Sequence, residues 1–189
     1  MLASIWLQLS NEQEAALRAL IESLASAHGT VPFQPHLTVC SPQSETSWDA
    51  AAEYVRSGTT LPLRVRKKRI SFSTTAPMRA VVIDAEDTPL LRTFREDLRR
   101  VTGAVEPPPH ISLLYAVDAT GRQPRRLSDE NTLKTIAEEC TRQVGEGEFV
   151  LDRPVIVATD GTWTNIKSWH AVRTLQGSDA AGTPQAVGP

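Results

Sequence analysis

The chain has 189 residues, 40% hydrophobic and 22% charged, with 13 prolines and 10 glycines, enough apolar content to bury one good core. A net charge of −2 and a pI near 6.1 argue against a coat for long nucleic acid, because extended phosphate binding needs a basic excess, whereas a small anion needs only a few local donors. No apolar run approaches the ~18 residues of a membrane span, and the N-terminus enters a strand-like run without a charged and apolar leader; a soluble, intracellular protein is expected.

Ser4-Ile5-Trp6-Leu7-Gln8-Leu9 alternates with period two, which places Ile5, Leu7 and Leu9 on one face and Ser4, Trp6 and Gln8 on a more polar one. Ser10 or Asn11 can cap a helix over 12–27, with Leu17, Leu20, Ile21 and Leu24 as its apolar stripe and Gly29 as its stop. A strand at 36–41 then carries Pro35-His36-Leu37-Thr38-Val39. A short helix from Ser47 to about 54–58 is followed by strands at 61–66 and 69–73, where apolar and basic residues alternate and one face is solvated. Arg79-Ala80-Val81-Val82-Ile83-Asp84-Ala85 reads as a strand buried on both sides. A helix over 88–102 carries Leu90, Leu91, Phe94, Leu98 and Val101, and Pro107-Pro108-Pro109 forces an extended approach to a strand at 110–116. After a loop at 118–124, a helix over 128–143 and strands at 148–152, 155–158 and 168–173 complete the pattern. Residues 176–189, rich in Gly, Ala, Pro and Gln, read as a disordered tail behind one domain at 1–175.

One pattern occurs twice: Pro35-His36-Leu37-Thr38-Val39 and Pro109-His110-Ile111-Ser112-Leu113 are both proline, histidine, apolar, hydroxyl, apolar. In a strand, each histidine shares a face with the hydroxyl two residues on, while the apolar residues point into a core. Two such strands side by side offer two imidazoles and two hydroxyls to one pocket. Opening a cyclic phosphodiester needs that set: a base for water, an acid for the departing oxygen, and neutral donors for the phosphoryl oxygens. Histidine supplies both proton-transfer roles near neutral pH without a large pKa shift.

On these motifs the chain resembles the two-histidine phosphoesterase superfamily. Ser4-Ile5-Trp6-Leu7, Phe33-Gln34-Pro35-His36-Leu37-Thr38 and Pro109-His110-Ile111-Ser112-Leu113-Leu114-Tyr115 look most like the small cyclic phosphodiesterases of fungi and plants. The resemblance implies an α+β domain of two pseudo-symmetric lobes, with central antiparallel sheets, outer helices and a cleft between the lobes. It also implies hydrolysis of nucleoside 2′,3′-cyclic phosphates to 2′-phosphates and of ADP-ribose 1″,2″-cyclic phosphate, with His110 as base, His36 as acid, and Thr38 and Ser112 on the non-bridging oxygens. No cofactor is implied, and the expected ligand is a small cyclic nucleotide bound by a monomer.

Trp6 has two readings, packing against the following helix or stacking on a nucleobase, and its alternation phase favours the second. Strict alternation sets Tyr115 opposite the imidazole of His110, so a place near substrate requires a bulge or strand end. No carboxylate or cysteine stands at ligand spacing near either motif, so the site reads as metal-free. Cys40 and Cys140 read as buried thiols, although a single long-range bridge is open to them. His170 reads as structural, His28 as complementing a helix dipole, and Arg64–Arg69 as a solvated strand and turn. Two rival functions are RNA-end processing of the 2′-5′ ligase kind and nucleotide binding without catalysis.

Overall fold

A computed structural model describes residues 3–41, 44–57, 61–104, 107–124, 130–159 and 165–175. The chain runs β1 (Ala3–Leu9), α1 (Asn11–His28), β2 (Leu37–Cys40), α2 (Glu45–Arg56), β3 (Leu63–Phe72), β4 (Val81–Ala85), α3 (Pro89–Thr102), β5 (His110–Leu114), α4 (Glu130–Val144), β6 (Glu148–Ala158) and β7 (His170–Thr174), with 3-10 turns at Pro77–Arg79 and Ile166–Ser168. The tail at 176–189 and the first two residues of the helix expected from 128 lie outside the described residues.

Local chemistry sets the helix boundaries. Thr88 Oγ1 accepts from the amide of Leu91, Pro89 opens α3, and Gly103 closes it at φ +67°, a left-handed conformation that suits glycine. Ser10 occupies the N-cap of α1, yet its side chain makes no capping bond; its carbonyl receives the amide of Glu14 instead. Of the apolar stripe expected on α3, Leu91, Phe94 and Leu98 are buried, while Leu90 and Val101 face outward.

All strand pairings are antiparallel, in the order β1-β2-β5-β4-β3-β6-β7, and β1 also pairs with β6. The central sheets expected from sequence are therefore hydrogen-bonded into one. Two strand pairs expected to be separate are continuous. Strand β3 absorbs the basic run through an irregularity at Lys67–Arg69, and β6 runs through Pro154. The proline is tolerated because it falls where one neighbour of β6 ends and another begins: β3 pairs with residues up to Leu151 and β7 with residues from Val155.

The topology repeats. Strand, helix, motif strand, helix, strand in β1-α1-β2-α2-β3 recurs as β4-α3-β5-α4-β6, and a pseudo-twofold between Leu37 and Ile111, paired in register, exchanges the halves. One sheet face carries Ile5, Leu7, Leu37, Val39, Ile83, Ile111 and Leu113, all 0–1% exposed, and packs with apolar residues of the four helices in the main core. The other face bears the histidines.

Candidate active site

Both motifs reach the two adjacent central strands. Register places Leu37 opposite Ile111, and continuing that antiparallel pairing sets His36 opposite Ser112 and Thr38 opposite His110. Each imidazole thus faces the hydroxyl of the other motif. A cavity of about 410 Å³ opens on this face, and His36, Thr38, His110, Ser112, Trp6 and Tyr115 all line it. All six residues expected at the site come together.

The histidines are oriented by the same device. His36 Nδ1 lies 2.7 Å from the carbonyl of Gln34, and His110 Nδ1 lies 2.7 Å from the carbonyl of Pro108. A carbonyl only accepts, so Nδ1 carries the hydrogen, and in the neutral ring the lone pair sits on Nε2. Each carbonyl belongs to a segment pinned by a charged residue of the preceding helix. Gln34 donates to Glu14, which Arg18 and Arg153 also hold, and Arg95 donates to the carbonyl of Pro107 while pairing with Asp87 at 3.4 Å.

Their surroundings differ. His36 is 6% exposed and lies flat against Trp6, ring centroids 3.5 Å apart and planes 6° from parallel. Burial drives its pKa down to about 4; the bond to Gln34 opposes the shift, and the charge of His110 adds to it. His110 is half-buried at the start of β5, in register with Asp84 of β4. Burial lowers its pKa too, Arg79 and Arg95 reinforce that, and the Pro108 bond and Asp84 carboxylate oppose it.

Trp6 corrects the reading of β1: it is 4% exposed and Gln8 8%, so neither stands on a solvated face. One face of the Trp6 ring covers His36, and the residue clusters with Val155, Val157 and Trp169. Such burial leaves the ring little surface for a base. Tyr115 reaches the cleft because β5 stops at Leu114, which frees it from alternation. It stacks on Phe33 at 3.6 Å, and burial holds its phenol protonated, beside Ser112. Ser112 Oγ donates to the carbonyl of Met78 at 3.0 Å, so its proton must swing away before it serves a phosphoryl oxygen.

Compared as a sequence, the chain matches no protein-family model and no curated protein. Compared as a structure, it has clear neighbours. The chain shares its fold with E. coli LigT. That structure, LigT complexed with phosphate, aligns over 93% of this chain and 96% of its own at a TM-score of 0.52 and 13% identity. A phosphoesterase aligns over 91% and 95% at 0.54 and 13%, and TT0787 of Thermus thermophilus over 94% and 100% at 0.55 and 18%.

Cleft residues that escaped the sequence reading include Arg79 and Trp169. Arg79 closes the 3-10 turn at Pro77–Arg79 and lines the cavity, and its Nε is buried without a hydrogen-bond partner. No carboxylate lines the cleft among the described residues. Its only sequence signal was a lone arginine at the head of the apolar run Ala80–Ile83. Ser4, Ser41 and Thr159 add hydroxyls to the lining, Ser4 and Ser41 lying 3.1 Å apart. Among the described residues no three His, Cys, Asp or Glu side chains converge as metal ligands do. Cys40 and Cys140 are both buried free thiols, and burial pushes Cys140 up to about 11.

Among the described residues no helix is long and apolar enough to cross a membrane. Of the basic run on β3, Arg64, Arg66 and Arg69 face outward, within 4.0, 3.8 and 3.1 Å of Glu148, Glu86 and Asp84, whereas Lys67 is half-buried and donates to the carbonyl of Val144.

Proposed function

We propose that the protein is a two-histidine phosphoesterase that hydrolyses nucleoside 2′,3′-cyclic phosphates to nucleoside 2′-phosphates, ADP-ribose 1″,2″-cyclic phosphate being a further substrate of the same chemistry. The observation that carries this reading is the pair of imidazoles, each clamped through Nδ1, in a cleft that holds Arg79 and no carboxylate among the described residues. A half-buried guanidinium whose Nε has no partner among the described residues favours an anion, and two presented Nε2 atoms are what proton transfer on both sides of phosphorus requires.

Burial divides the roles. His36, kept neutral down to a pKa of about 4, is suited to take a proton from water; an acid so rarely charged would be a poor donor. His110, more exposed and facing Asp84, is the better imidazolium. This reverses the assignment implied by resemblance. Water attacks phosphorus as His36 Nε2 removes its proton. The P–O3′ bond breaks, and His110 Nε2–H delivers its proton to the departing oxygen. Arg79, Thr38 and, once rotated, Ser112 hold the non-bridging oxygens, where charge builds up in the transition state.

A cavity of about 410 Å³ suits a mononucleotide, and the ion-paired arginines of β3 do not form an RNA track, which favours this reading over RNA-end processing. The test is turnover of the four nucleoside 2′,3′-cyclic phosphates, with and without chelator, the product resolved by phosphorus NMR. A 2′-phosphate formed equally in both conditions is expected, and Arg79→Met should lower kcat/KM by about 10²–10³-fold, the range seen when one transition-state donor is lost. No turnover, or strict dependence on a divalent ion, sinks the proposal.

A further inference from the structure

The aromatic rings lining the cleft are not equally available. Trp6 has His36 against one face, and Tyr115 has Phe33, planes 10° from parallel. Trp169 meets both only at steep angles, 65° to Trp6 with centroids 5.9 Å apart and 68° to Tyr115 at 6.3 Å. Of the three it alone has no parallel partner among the described residues. It is half-buried, whereas Trp6 and Tyr115 are 4% and 3% exposed.

Trp169 is also held firmly. Its amide donates to the carbonyl of Ile166 across the 3-10 turn, Ser168 Oγ donates to the carbonyl of Asn165, and the amide of Ile166 donates to the carbonyl of Gly121. Ile166 is buried in a cluster with Val31, Tyr115 and Val117. Gly121 sits at φ +76°, and a Cβ there would lie 3.3 Å from the Lys167 side chain, so glycine lets the two loops close on each other. Immediately after Trp169, β7 pairs with β6, Ala158 opposite His170. A flat ring fixed on both sides at the cleft wall loses little conformational freedom when a ligand stacks on it.

We infer that Trp169 is the platform on which the base of the bound nucleotide stacks, the role that the sequence alone gave to Trp6. This rests on the cyclic-nucleotide reading of the same cleft. Stacking needs only a π-face, so the platform accepts all four bases.

Three variants and one base-free substrate test it. Trp169→Leu should raise KM about tenfold or more for all four nucleoside 2′,3′-cyclic phosphates, with kcat within threefold of the parent. KM for methyl riboside 2,3-cyclic phosphate, which has no base, should not move. Trp169→Phe should restore most of the affinity. If the leucine variant does not melt cooperatively, Trp169→Gln replaces it with the same expectation. An unchanged KM for the nucleotides, or an equal rise for the base-free ester, overturns the platform. Calorimetric titration with adenosine 2′-phosphate separates this inference from the reading beneath it. If the parent protein turns over no cyclic phosphate, the hydrolase proposal falls, yet a tenfold loss of adenosine 2′-phosphate affinity in Trp169→Leu would still establish the platform. Equal affinity in both proteins, or no binding by the parent, would overturn it.

Discussion

The motifs that lead into β2 and β5 share one five-residue pattern and clamp their histidines through equivalent bonds, yet the two imidazoles are different acids. His36 lies under Trp6 in a buried pocket, while His110 opens its strand at the half-exposed rim, with Asp84 in register and Arg79 nearby. The carbonyl two residues back gives both rings the same tautomer. Neighbours from other elements, distant in sequence, decide which ring stays neutral. A duplicated motif on a pseudo-twofold can thus supply a base and an acid once its two copies sit in unlike surroundings.

Removing either ring should produce the largest effect. His36→Ala and His110→Ala are each expected to lower kcat by about 10²–10⁴-fold with the far-ultraviolet circular dichroism unchanged, because proton transfer is needed on both sides of phosphorus. Near-parent turnover in either variant would break the pairing.

The pH dependence sharpens the difference between the rings. His36 titrates near 6.5 when unfolded and near 4 in the fold. Between those values the unfolded chain binds the extra proton, so stability falls as pH drops through that window and levels off below it, by about 3 kcal/mol in all. Denaturant unfolding at a series of pH values should show that slope, and His36→Leu should flatten it. In the free enzyme, kcat/KM should be bell-shaped, with the acid limb near 4 from the His36 base and the basic limb below the usual 6.5 from the His110 acid. Asp84→Asn should shift the basic limb downward by removing the carboxylate that supports the His110 charge, and an unmoved limb would mean that His110 does not set it.

The smallest effects belong to the hydroxyls. Thr38→Ala and Ser112→Ala should each cost roughly 1–3 kcal/mol of transition-state binding, read from kcat/KM. Ser112 is expected at the lower end, because its proton is already engaged by the Met78 carbonyl. Equal losses would mean that the hydroxyl reorients at no cost.

Much of the fold was legible where periodicity is strong. The helices over 12–27 and 88–102 fall within one residue at each end of the observed Asn11–His28 and Pro89–Thr102, because their stripes and glycine stops act locally. Breaks read at Lys67–Lys68 and Arg153–Pro154 proved to be irregularities within long strands, since a bulge and a change of neighbour accommodate what local propensity reads as an end. In the site, period-two alternation sufficed to place His36, Thr38, His110 and Ser112 on common faces. It placed Trp6 on the histidine face as well, but alternation assigns a residue to a sheet face and says nothing of what covers that face.

The sequence by itself determined that two histidine strands exist, that each histidine travels with a hydroxyl, and that apolar residues between them anchor a core, since all of these follow from strand geometry over five residues. Only the tertiary structure decided that β2 and β5 are neighbours, that each histidine lies across the strand pair from the other motif's hydroxyl, that Arg79 joins them, and that Trp6 is spent on desolvating His36 while Trp169 lines the cleft and meets its ring neighbours only edge-on. Those facts depend on register and burial between segments far apart in the chain, and burial is what turns two like imidazoles into an acid and a base.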